Sequence, residues 1–236
     1  MVTGTKTIYS LLFSRLLLFV QFQALIALGF GSWHESEKYW MLTAALTNIV
    51  SISLLVVLFR QEGLRYFNLF RIDKSKWKKD AIIFSGLAVL SVPLVIVPSF
   101  ILSTWFWGNT TYYHQVLFQP IPAYIVWLLF IAFPVSICFA ELPTYFGFVM
   151  PRLGNSLRPK WLAVLVPVFF LAVQHCTLPL VFDVKFTVFR GLMYMPFALM
   201  LGIALYKRPS LLPYLTVLHG LLDALAVTML IMEIKK

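Results

Sequence analysis

Long apolar runs separated by short polar breaks organise the chain. Runs near 8–30, 40–59, 81–102, 121–150, 161–182, 187–206 and 211–232 each approach or exceed the roughly 20 residues with which an α-helix crosses a bilayer core. The pattern predicts an all-α, polytopic transmembrane helix bundle of about seven spans. The longest polar stretch is only about twenty residues, so residues 1–236 are read as one integral membrane domain with no soluble domain attached. Repeats, low-complexity tracts and linkers are not evident. The fourth run carries Pro134 and Pro143 and is expected to tilt or kink, because an internal proline removes a backbone hydrogen bond. The first run offers a small-residue triplet, Ala27-Leu28-Gly29, but is longer than the apolar stretch of a secretory signal. It is read as a retained first span.

Four ionisable side chains interrupt these spans: Glu141, His175, His219 and Asp223. A charged group at bilayer depth costs roughly 2.5–3.5 kcal/mol on insertion scales, so it faces a cavity or a partner. The whole chain holds only nine acids and four histidines, which makes two of each inside spans informative. At about 1.5 Å per helical residue, Glu141 lies roughly 13 Å from the inner end of its span, His175 roughly 21 Å, His219 roughly 12 Å and Asp223 roughly 18 Å. Three separate helices thus bring these groups to similar depth, and one cluster in the inner half of the membrane is expected. His219 and Asp223 are four apart and share a helix face. Tyr145 and Cys138 share a face with Glu141.

Composition agrees with the membrane reading: 61% of residues are hydrophobic and 12% charged, with a net charge of +10. That charge is not a nucleic-acid signal, because it concentrates in alternate loops, the positive-inside pattern. With the N-terminus inside, the inner segments hold thirteen cations: Lys6, Arg60, Arg65, Arg71, Lys74, Lys76, Lys78, Lys79, Arg152, Arg158, Lys160, Lys207 and Arg208. The outer segments hold four: Lys38, Lys185, Lys235 and Lys236. Arg15 and Arg190 are assigned to span ends. The asymmetry predicts a cytoplasmic N-terminus; the expected setting is a bacterial plasma membrane, and the expected partners are membrane lipid and a membrane-bound peptide or protein substrate. The stretch from Arg60 to Asp80 alternates basic and bulky apolar residues. It is expected on the inner membrane surface with Tyr66, Phe67, Phe70 and Trp77 dipping in. The loop STWFWGNTTYYH reads as an aromatic belt and contains the sequon Asn109-Thr110-Thr111. Cys138 and Cys176 form no CxxC pair and read as buried small apolar residues.

The four polar residues permit several chemistries. A carboxylate beside an imidazole can hold and deprotonate water, and a second imidazole can donate to an oxyanion as a carbonyl becomes tetrahedral. That is peptide hydrolysis without a covalent intermediate and with no required cofactor. Two histidines and a carboxylate (His175, His219, Glu141) also form a donor set for zinc, although HExxH is absent. Interhelical hydrogen bonding alone, in a non-catalytic scaffold, is a second reading. A small transporter or proton relay is a third.

The stretch ELPTYFGFVMPRL, then PVFFLAVQHCTLPL, then LTVLHGLLDALAV resembles the CPBP family, the CAAX-prenyl-endopeptidase and bacteriocin-processing (Abi-type) intramembrane proteases. The likeness covers about residues 121–232, in the order of the family's motifs EExxxRG, FxxxH and HxxxN or HxxxD. It implies that Glu141 activates a water, that His175 helps position it, and that His219 and Asp223 stabilise the oxyanion or orient the site. The chain departs from the motifs at three points. Leu142 stands at the second glutamate and Phe146 at the arginine, with Pro143 between them, and Leu171 stands at the phenylalanine of FxxxH. The paired loss of glutamate and arginine is read as an ion pair replaced by apolar packing. Immunity-type or regulatory roles on the same fold follow as the alternative expectation.

Overall fold

The computed structural model describes residues 5–234, which are helical almost throughout, with no strand among them. The order is α1 (Thr5–Phe30), α2 (Trp33–Glu37), α3 (Trp40–Gln61), a 3-10 turn (Tyr66–Phe70), α4 (Trp77–Trp107), α5 (Tyr112–Leu117), α6 (Ala123–Leu142), a π-helical segment (Pro143–Val149), α7 (Met150–Ser156), α8 (Leu162–Val173), a 3-10 turn (Gln174–Thr177), α9 (Val184–Met193), α10 (Met195–Lys207) and α11 (Leu212–Ile234). Lys235 and Lys236 lie outside the described residues. Among the described residues, six segments are long and apolar enough to cross a membrane: Lys6–Phe30, Trp40–Gln61, Trp77–Trp107, Ala123–Ser156, Val184–Lys207 and Pro209–Ile234. This is an all-α polytopic bundle of an integral membrane protein.

The expected span 161–182 is the shorter member. Its twelve α-helical residues and four 3-10 residues reach about 26 Å, less than the roughly 30 Å of a bilayer core. The next segment, read as starting at residue 187, begins at Val184 on an Asp183 cap and breaks at Tyr194. Pro196 explains the break, since it lacks the N–H that would continue the ladder. The fourth run is one helical path from Ala123 to Ser156, with Pro143 opening its π-helical turn. Pro143 has no N–H to offer the Phe139 carbonyl, and that carbonyl accepts the hydroxyl of Tyr66.

This bond revises the reading of the 60–80 segment. Tyr66 does not dip into lipid; it is buried against Phe59 and the α6 backbone. Phe67 and Trp77 are exposed and Phe70 is half-buried. Trp77 to Asp80 belong to α4, where Asp80 is fully buried and paired with Arg208 and Ser210. α4 is 31 residues long, about 46 Å. Only 6% of its most apolar window is buried. It remains helical through Pro93 and Pro98 and ends on Gly108 in the left-handed conformation, φ 65°. In the loop beyond, Asn109 Oδ1 accepts from the Thr111 N–H and hydroxyl.

α6 is the central helix, packed against both α3 and α11, while α10 packs on α8 and α1 on α3. Two apolar cores result. One joins Leu12, Leu55, Tyr145, Phe148, Leu171 and Leu215; the other joins Phe19, Ala44, Phe133, Ile137, Leu178 and Val227. Leu142 and Phe146, at the motif's glutamate and arginine positions, are buried in the first. Cys138 and Cys176 are half-buried free thiols that donate to the carbonyls of Pro134 and Thr187.

The α6–α11 contact is close enough to depend on Gly220. A Cβ there would stand 2.3 Å from Cys138 Sγ and 2.8 Å from the Pro134 carbonyl oxygen, and backbone cannot yield as a side chain can. Gly220→Ala is expected to cost about 1–3 kcal/mol through overpacking and to lower the melting temperature in detergent by several degrees. Gly86→Ala on α4, where nothing lies within 4 Å, is expected to leave it unchanged.

Candidate active site

Each of five chain segments passes from one apolar core to the other through a polar residue. α1 does so at Arg15, between Leu12 and Phe19; α3 at Asn48 and Ser51, between Ala45 and Leu55; α6 at Glu141, next to Leu142 and one turn from Ile137. The turn after α8 does so at Gln174, between Ala172 and Leu178, and α11 at His219 and Asp223, between Leu218 and Val227. The result is one polar layer inside the bundle.

Arg15 is its centre. The sequence assigns it to a span end, yet it is 0% exposed. The error has a physical source: charge counting treats cations as loop markers, while the apolar run on both sides of Arg15 puts it well inside α1. Its guanidinium donates from Nε to Gln174 Oε1 (2.8 Å), from Nη1 to Ser51 Oγ (3.1 Å), and from Nη2 to Asn48 Oδ1 (2.9 Å) and Glu141 Oε2 (3.3 Å). Around this hub, Tyr145 Oη donates to Gln174 Oε1 (3.1 Å) and Asn48 Nδ2 to Ser136 Oγ (3.0 Å). The other misassigned cation, Arg190, is also buried, donating to the Leu178 carbonyl and to Tyr194 Oη. A buried arginine without such acceptors would be untenable.

The second oxygen of Glu141 faces α11. Glu141 Oε1 lies 3.1 Å from His219 Nε2, which lies 3.3 Å from Asp223 Oδ2. These are ion-pair separations, but the angles are not those of hydrogen bonds. Glu141 Oε1, Asp223 Oδ2 and His219 Nδ1 are all buried atoms without a hydrogen-bond partner. Phe197 stacks on the His219 ring at 6.0 Å between centroids. Buried polar atoms left without a protein partner are uncommon, and three of them at one place single it out.

His175 stands beside this group rather than in contact with it. Its Nδ1 lies 3.0 Å from the Leu171 carbonyl and 3.2 Å from that of Ala172. Carbonyls only accept, so Nδ1 carries the hydrogen and Nε2 is the acceptor of the neutral ring. The ring stacks on Tyr194 at 3.9 Å, and Arg190 Nη1 donates to the Tyr194 hydroxyl at 3.0 Å. His175 remains within electrostatic reach of Glu141 and His219. Of the four residues singled out from sequence, the structure therefore joins Glu141, His219 and Asp223 directly and holds His175 at their side. Arg15, Asn48, Ser51 and Gln174 were missed. Helical depth, applied to Arg15 as to Glu141, is the signal that reveals it: Arg15 lies roughly 10 Å into the run that starts near residue 8. The uncharged amides and hydroxyl carry no comparable signal.

Among the described residues, no group of three or more His, Cys, Asp or Glu side chains is arranged to hold a metal ion. In the set His175, His219 and Glu141, the bonds at Nδ1 of His175 leave its Nε2 as the ring's one acceptor. A scan of family models, a search of curated proteins and a search of solved structures each returned no match.

The Arg15–Glu141 pair is fully desolvated, and removing one partner strands the other. Arg15→Met is expected to destabilise the protein by about 3–5 kcal/mol. Arg15→Met with Glu141→Gln is expected to cost less than the sum of the two single changes. Equilibrium unfolding in detergent, arranged as a double-mutant cycle, measures that coupling.

Proposed function

We propose that this chain is an intramembrane endopeptidase of the CPBP type, hydrolysing a peptide bond in a membrane-associated substrate with a water activated by Glu141. The observation that carries the proposal is the unbonded Glu141 Oε1, buried in the polar layer and 3.1 Å from His219 Nε2. One oxygen of this carboxylate is held by Arg15, and the other faces only His219.

In the proposed reaction, Glu141 takes a proton from the water as its oxygen bonds to the scissile carbonyl carbon. His175 Nε2, left as an acceptor by the bonds at Nδ1, positions that water. The carbonyl oxygen becomes an oxyanion. The His219 nitrogen that faces two carboxylates, Nε2, carries a hydrogen, and Nδ1 is without a protein partner. With the ring doubly protonated, Nδ1 donates to the oxyanion. Asp223 orients His219 and balances its charge. As the carbon–nitrogen bond breaks, Glu141 returns the proton to the departing amine. Arg15 is a positioning residue in this scheme. The excess of cations in alternate loops supports a cytoplasmic N-terminus.

A second reading, a non-catalytic scaffold or immunity-type regulator, draws on the same hub. A guanidinium with four acceptors around it is also what a purely structural polar layer contains. The two readings separate experimentally. Purified protein in nanodiscs is expected to cleave prenylated and unmodified membrane peptides, with Glu141→Gln and His219→Ala each lowering the rate at least about a hundredfold. Cleavage that survives both substitutions overturns the assignment. A cellular role untouched by Glu141→Ala, with partner binding retained, selects the scaffold. A glutamate-held water further predicts that cleavage persists in a strong chelator. Loss of activity restored by added zinc would instead assign the step to a metal.

A further inference from the structure

An open groove of about 580 Å³ lies between the end of α3 and the 3-10 turn, lined by Val56, Arg60, Leu64, Arg65, Tyr66 and Phe67, together with the amide of Asn68. That volume is within the range of small-ligand sites. Its walls are of two kinds. Val56 stands one helical turn before Arg60 on the same face of α3, so an apolar wall lies on the span side and a guanidinium beyond it. Leu64 and Phe67 extend the apolar wall and are 52% and 63% exposed.

The segment carries an excess of cations, and two of them line the groove. Residues 60–80 contain three acids, and all are engaged. Glu62 pairs with Arg152. Asp73 accepts from Ser75 and pairs with Lys76, which together hold its carboxyl down at about 2. Asp80 pairs with Arg208 and Ser210. The side chains of Arg60 and Arg65, in contrast, make no hydrogen bond or ion pair with the protein among the described residues. Two unpaired guanidiniums on one groove present donors suited to an oxyanion with several acceptor oxygens. The floor is fixed: Tyr66 is 3% exposed, packs on Phe59 and is bonded to the Phe139 carbonyl. The site therefore needs little ordering to bind.

We infer that this groove binds one anionic phospholipid, with the phosphate against Arg60 and Arg65 and an acyl chain along Val56, Leu64 and Phe67. The combination decides the ligand class: a soluble phosphate would leave the apolar wall uncovered, and a neutral zwitterion would leave the excess positive charge uncompensated. The inference does not depend on peptide hydrolysis.

The test uses the full chain in phosphatidylcholine nanodiscs containing a minor fraction of phosphatidylglycerol, with native mass spectrometry counting the lipids retained on the protein. One phosphatidylglycerol is expected to be held in preference to phosphatidylcholine. Arg60→Gln with Arg65→Gln is expected to weaken that retention roughly thirtyfold, the worth of two cations beside an anionic headgroup. Lys78→Gln with Lys79→Gln, which removes equal charge outside the groove, is expected to leave it unchanged. Equal loss in both variants would overturn the site in favour of diffuse surface charge. Absence of any preference would also overturn it, as would displacement of the lipid by glycerol phosphate or inorganic phosphate.

Discussion

A guanidinium held inside a membrane bundle must be surrounded by acceptors, and that requirement governs the arrangement of this protein. Arg15 draws its acceptors from α3, α6 and the turn after α8. Apolar surfaces above and below it tolerate rotation and sliding, because one aliphatic contact resembles another. Four directed bonds do not. The energetic gain of such a layer over well-packed apolar residues is small; its effect is to fix the rotation and height of each contributing helix. α11, packed along α6, then has His219 and Asp223 at the level of Glu141. Satisfying Arg15 thus places Glu141, and the α6–α11 contact brings His219 and Asp223 to it.

Hydropathy made the bundle legible because lipid imposes length and composition on every span. It failed where a length rule could not see geometry. The 161–182 run looks like a full span, but the tightening at Gln174 and the loop after Leu178 shorten it. α4 looks like a standard span and is far longer, because Trp77 to Asp80 read as surface sequence yet join the helix once Arg208 pairs with Asp80. Glu141, His219 and Asp223 were legible because acids and imidazoles are rare in spans. Arg15 and Arg190 were lost to the assumption that cations belong to loops. Gln174, Asn48 and Ser51 were invisible, since only a three-dimensional partner distinguishes them from the other neutral polar residues of the spans. The first motif shows the same limit. Leu142 and Phe146 stand at the glutamate and arginine positions, and their burial in an apolar core accounts for both, while the guanidinium beside Glu141 comes from another helix.

Proline connects surface to interior. Pro143 deprives the Phe139 carbonyl of its usual donor, and the hydroxyl that reaches it belongs to Tyr66 on the 3-10 turn. Because Phe139 is two residues from Glu141, the same short piece of α6 carries both the surface turn and the carboxylate. Leu69 closes the contact from the same turn, lying 3.0 Å from where a Cβ of Gly147 would stand. A backbone group left over from a helix irregularity has become the fastening point of the membrane-surface segment.

α4 is fastened at both ends by specific contacts. Asp80 secures one end through Arg208 and Ser210, and Trp107 secures the other through Tyr112 and Phe189, with ring centroids at 4.5 and 5.2 Å. The stretch between rests one face on the bundle through Phe84, Leu87, Leu94 and Val95, turns the other outward, and contains both Pro93 and Pro98. At about 46 Å against a hydrocarbon core of roughly 30 Å, α4 is the helix on which hydrophobic mismatch falls, to be met by tilt or by a kink at those prolines.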